Sequence, residues 1–143
     1  MTSSLPAEFW QGITEFNQGL FYACHDTLEA LWMEAGEPQR TFYQGILQIA
    51  VGFYHLSHQN WRGAVILLGE GTNRLQDYQP DYGEINVTAL ISESTHWLKV
   101  LQESGPEKVA EFATLLERVS DSDDFQLRMP KIMTIGDGYT NSV

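Results

Sequence analysis

Basic side chains are scarce in this sequence: 8 lysines and arginines stand against 19 aspartates and glutamates, a formal net charge of −11. A phosphate backbone or an anionic lipid surface would repel such a chain, so neither nucleic acid nor a membrane is an expected partner. Cysteine is scarcer still. Cys24 stands alone and has no second thiol with which to close an internal disulfide. The stretch MTSSLPAEFWQG lacks the basic start and apolar run of a secretory signal, which leaves a reducing cytoplasm as the expected compartment. Long apolar runs are missing too, since no segment approaches the roughly 20 residues that span a bilayer. In that setting the NVT triplet at Asn86 has no weight as a glycosylation acceptor. Convincing period-two alternation, internal repeats and low-complexity tracts are also absent, and helices are left as the expected element.

What the chain does hold is apolar and aromatic material, 43% and 12% of its residues. In a chain of this length that suffices for one core burying about two-thirds of the unfolded surface. The expected fold is all-α, a compact orthogonal or irregular bundle of roughly five to six helices with an extended C-terminal tail. A first helix runs from Pro6 to Asn17, with Phe9, Ile13 and Phe16 at helical spacing and Gly19 as its break. The second covers FYACHDTLEALW and ends near Gly36 and Pro38; the third runs from about Gln39 to His58. Asn60 is the expected N-cap of a fourth helix that stops before QPDYG, because Pro80 cannot continue it. A fifth, Asn86 to Ser104, aligns Val87, Leu90, Ile91, Trp97, Leu98 and Leu101, and EKVAEFATLLERV supplies a sixth. Residues 1–120 are thus expected to form a single helical domain. Residues 121–143 are expected to be an acidic loop followed by an extended or mobile tail in which LRMPKI packs on the surface.

The third helix is the most informative. Its apolar residues fill more than half of the circumference, while Arg40, Gln44, Gly45, Gln48, Gly52 and His55 form a strip without lysine or carboxylate. Two glycines in that strip each cost about 1 kcal/mol of helix propensity, and they would let another backbone or a ligand come close. On the second helix His25 and Glu29 fall at the edge of the apolar arc. If the two helices pack antiparallel, these could face Gln44, Gln48 and His55, with Trp32 and Asn60 in support. The expected site is therefore an internal polar seam between the second and third helices.

FNQGLFYACHDTLEALW, RTFYQGILQIAVGFYH and NWRGAVILL together resemble the signature of the domain of unknown function 309 family, over roughly Phe16 to Leu75. The likeness falls on Phe16, Asn17, Gly19, His25, Glu29, Trp32, Arg40, Gln44, Gly45, Gln48, His55, Asn60, Gly63 and Ala64. Two residues depart from it: Asp26 where glutamate is usual, and Gln59 where glycine often precedes the asparagine. The resemblance implies a small helical protein and a polar set coincident with the one read from helical geometry; it establishes no activity and leaves any cofactor unknown.

Three readings of that set remain open. In one, the charged and amide groups satisfy each other as a structural network, since an unpaired buried polar group costs about 1–3 kcal/mol. In another, Arg40 holds a small anionic ligand that Gln44 and Gln48 orient and Trp32 walls. In the third, His25, Glu29 and His55 ligate zinc or iron. Catalysis has less support, because no nucleophile stands out: Cys24 projects into the apolar arc. An assembly module, including a homodimer, is a further alternative built on Trp10, Trp61 and Trp97. The SDSDD run lacks the glycine and closing glutamate of a calcium loop.

Overall fold

The computed structural model describes residues 5–118 and 129–136. Among these the chain forms six α-helices: α1 (Ala7–Asn17), α2 (Phe21–Glu34), α3 (Gln39–Ser57), α4 (Trp61–Leu75), α5 (Val87–Ser104) and α6 (Val109–Arg118). Single 3-10 turns follow α4 and precede α6. The all-α bundle expected from apolar periodicity is what the chain adopts. The acidic loop and the last residues of the expected tail, 121–128 and 137–143, lie outside the described residues. None of the described helices is long and apolar enough to cross a membrane.

Local chemistry sets the helix ends. Gly19 takes φ +78. Its N–H donates to Phe16 O at 2.9 Å, and that of Leu20 reaches back to Glu15 O at 2.9 Å, the paired bonds that stop a helix on a left-handed residue. The same closure ends α3, but there Gln59 holds φ 61, with Asn60 N–H donating to His55 O at 2.8 Å. The departure from glycine at this position therefore places a side chain in a region that costs a non-glycine residue about 1 kcal/mol. Asn60 then caps α4 as expected, its Oδ1 accepting from Gly63 N–H at 3.0 Å, and Asn86 caps α5 by accepting from Ala89 N–H at 3.0 Å.

α3 is central. Phe42, Ile46, Ile49, Ala50, Phe53 and Leu56 are all fully buried, and Phe53 meets Phe16, Phe21 and Trp97 with ring centroids 6.2, 5.5 and 6.0 Å apart. α2 packs along one flank of α3 and α4 along the other. The α4 flank is unusually close: a methyl group on Gly71 would lie 2.7 Å from Gly45 O, and one on Gly52 would lie 2.9 Å from Leu68 Cγ. The glycines of the polar strip thus admit the backbone of a neighbouring helix.

A small sheet element was not legible in the sequence. β1 (Asp81–Tyr82) and β2 (Ile85–Asn86) pair antiparallel through a turn in which Gly83 and Glu84 both take positive φ, 52 and 69. Strands of two residues are too short for alternation to register. Residues 129–136 lie against this hairpin: Thr134 bridges Ile85, Asn86 N–H donates to Met133 O at 2.8 Å, and Ile135 N–H to Glu84 O at 3.0 Å. Ile132 is buried, so the part of LRMPKI that is described is an extended segment docked on the bundle.

Candidate functional site

The eight residues singled out from the sequence do not form one network. Instead they divide into four groups along α2, α3 and α4.

His25 sits half-buried on α2, Nε2 3.6 Å from Glu29 Oε2 and Nδ1 3.3 Å from Asp26 Oδ1, with its ring 5.5 Å from that of Tyr22. Trp32, two turns on, is covered by Arg40 of α3, whose guanidinium carbon stands 4.3 Å from the ring centroid. Trp32 Nε1 is buried and has no acceptor among the described residues. The half-buried Arg40 side chain makes neither a hydrogen bond nor an ion pair there, and nor does the amide of Gln44, its neighbour one turn along α3. Gln48 points the other way: its Nε2 donates to Glu70 Oε1 at 3.1 Å and its Oε1 accepts from Arg74 Nε at 2.9 Å, both on α4. His55 also belongs to the α4 side. Asn60 Nδ2 lies 3.2 Å from His55 Nδ1, and a methyl group on Gly63 would lie 2.8 Å from the imidazole. Because Asn60 Oδ1 already accepts from Gly63, its amide nitrogen is the donor and His55 Nδ1 the acceptor, which places the ring proton on Nε2.

Two expectations are therefore corrected. Among the described residues the polar strip of α3 is not a single seam facing α2: Gln48 and His55 pair on the α4 side, and Arg40 lies over the Trp32 ring of α2. The reason is helical geometry. Tyr54 takes the α2 flank, its ring 5.0 Å from Tyr22, and adjacent residues diverge by about 100°, which turns His55 away from His25. Accordingly, no group of three or more His, Cys, Asp or Glu side chains among the described residues could hold a metal ion, and the set His25, Glu29 and His55 is not assembled. Sequence reasoning also missed Glu70 and Arg74. Their i, i+4 spacing is visible in the sequence, but their facing Gln48 depends on how α4 crosses α3.

Two titratable groups have resolved environments here. Burial, with the Glu15 charge, pushes the Cys24 thiol up to about 12, so it is a protonated, buried apolar group and not a nucleophile. Burial and the nearby His58 hold the His55 imidazole below its ordinary value of about 6.5. A depressed histidine binds its proton more readily unfolded than folded, so stability falls as pH drops through about 6.5 toward the folded value. Replacing His55 with glutamine should flatten that segment of a stability-versus-pH curve measured by denaturant titration; an unchanged slope between pH 7 and 5.5 would show that His55 does not contribute.

Two surface pockets lie outside these groups. One of about 280 Å³ is lined by Leu20, Tyr22, Tyr54 and His58, and one of about 350 Å³ by Glu8, Gln11, Thr27, Leu31 and Glu34.

Residues 9–67 match the model of DUF309, a domain of unknown function, in agreement with the resemblance carried by the sequence motifs. The matched segment runs from α1 into α4 and contains all eight residues. No curated protein matches the chain.

Proposed function

We propose, from the premise that residues 9–67 are a DUF309 domain, that the protein is a cytoplasmic binder of a small anionic molecule, held at Arg40 and Trp32 with Gln44 one turn along α3. One observation carries the reading: among the described residues Trp32 Nε1–H is buried without an acceptor, in a ring over which the Arg40 guanidinium stands without a salt bridge. An orphaned buried donor costs about 1–3 kcal/mol. Among the described residues Arg40 makes no salt bridge, although Glu37 feels its charge, so the guanidinium keeps donors for a ligand. An oxyanion beside Arg40 would accept from the guanidinium and come within reach of the indole N–H, and the Gln44 amide, one turn along the same face, would supply a third donor. Gln48, Glu70, Arg74, His55 and Asn60 are already paired within the chain, which favours a structural role for them at the α3–α4 contact.

The test is a thermal-shift titration with small carboxylates and inorganic phosphate at fixed ionic strength. A ligand at 100 times its Kd should raise stability by about 2.7 kcal/mol. Arg40→Gln should abolish the shift. Trp32→Phe keeps a ring beneath the guanidinium but removes the N–H. It should leave the unliganded protein within about 1 kcal/mol of wild type and weaken the ligand roughly tenfold. A shift that survives Arg40→Gln undiminished would place the ligand elsewhere.

A further inference from the structure

We infer that the ligand of this site is a zwitterion of the α-amino-acid type, its carboxylate on Arg40 and its ammonium on Glu29. The inference rests on the anion-binding reading above and adds the cationic half of the ligand.

Glu29 and Trp32 are three residues apart on α2, so they are neighbours on one face, with Cβ atoms about 5–6 Å apart. Arg40 stands over the same indole. An acid and a base therefore flank one aromatic side chain, yet no ion pair joins them among the described residues. The carboxylate of Glu29 is half-exposed, and among the described residues its one ion-pair partner is His25 Nε2 at 3.6 Å, beyond a good hydrogen bond. Glu37, an acidic group that feels the Arg40 charge, also accepts from Thr41, from its backbone N–H at 2.9 Å and from its hydroxyl at 2.8 Å. Glu29 thus keeps its acceptor capacity for an ammonium group, whereas two of the roughly four acceptor sites of Glu37 are already taken by Thr41.

Charge points the same way. The net charge of −11 disfavours the approach of a dianion, and Arg40 itself lies close to Glu37. A molecule of zero net charge avoids that repulsion and still satisfies the guanidinium.

Matched probes test this on the full chain: the standard free α-amino acids, their N-acetyl derivatives, which keep the carboxylate and lose the ammonium, and inorganic phosphate. Binding is read by thermal shift and confirmed by calorimetry. The expected result is that at least one free amino acid binds roughly tenfold or more tightly than its N-acetyl form, and that Glu29→Gln removes this preference without weakening the N-acetyl form. Equal binding of free and acetylated forms, tighter binding of phosphate, or a preference that survives Glu29→Gln overturns the zwitterion and leaves the anion site standing. Binding of none of the probes by the wild-type protein overturns both.

Discussion

Gly71→Ala should destabilise the protein by about 2 kcal/mol and lower its Tm by roughly 6 °C, whereas Gly69→Ala, two residues earlier on the same helix, should stabilise it. Both substitutions gain about 1 kcal/mol of helix propensity. They differ in what the new methyl group meets. At position 69 the nearest atom is Leu98 Cδ2 at 3.9 Å, an ordinary contact. At position 71 the methyl group falls 2.7 Å from Gly45 O and 3.0 Å from Ile49 N, both backbone atoms of α3 that cannot rotate aside. Relief requires α4 to move away from α3, and overpacking of that kind costs about 1–3 kcal/mol, occasionally more. Because Gln48 reaches Glu70 and Arg74 across the same contact, the displacement would also lengthen those hydrogen bonds. Urea denaturation of the two variants side by side is the measurement. If both alanines prove stabilising, the close glycine contact between α3 and α4 is wrong.

Asn17→Ala should cost about 2–3 kcal/mol and loosen the segment that crosses the hairpin. The Asn17 side chain acts as a substitute strand. Its Nδ2 donates to Ile132 O at 2.9 Å, and its Oδ1 accepts from Ile132 N–H at 2.7 Å, fixing both backbone polar groups of a residue that is itself only 3% exposed. Alanine would leave a buried donor and acceptor unpaired at once, the costly side of the hydrogen-bond balance. The Lys131 Nζ bond to Asn17 O, 3.1 Å, involves the backbone and would persist, as would the hydrogen bonds of Met133 and Ile135 to the hairpin. Amide hydrogen exchange therefore gives the sharper readout: the Ile132 N–H should lose protection while amides in the middle of α3 keep theirs. Equal protection of Ile132 in the variant and the wild type would remove Asn17 from this role. Asn17 also belongs to the set on which the family resemblance rests, and its contact with Ile132 gives that position a physical reason that a helix-by-helix reading does not supply.

The candidate site was half-legible. That Arg40, Gln44, Gln48 and His55 share a strip of α3, and that His25, Glu29 and Trp32 share an edge of α2, follows from a period of about 3.6 residues. Which neighbour each strip meets does not follow, because a few tens of degrees of helix rotation carries a side chain from one interface to the next. Gln48 and Arg40 show the difference: two turns apart on one strip, the first is held by α4 and the second lies on an indole of α2. That Trp32 Nε1 is buried and unpaired among the described residues could not be foreseen either, since burial of one edge of a ring depends on what covers it.

The sequence by itself determined the all-α architecture, a bundle of five to six helices, and most helix ends. Periodicity, caps such as Asn60 and breaks such as Gly19 are local properties whose energies act within a few residues. It also determined that α3 is central, because more than half of that helix's circumference is apolar. Tertiary structure alone decided that the strip glycines admit α4, that His25, Glu29 and His55 fail to converge, and that residues 129–136 complete a sheet edge held by Asn17. Those outcomes depend on contacts between residues distant in the chain, where the close approach of two backbones and the pairing of buried polar groups settle which face meets which.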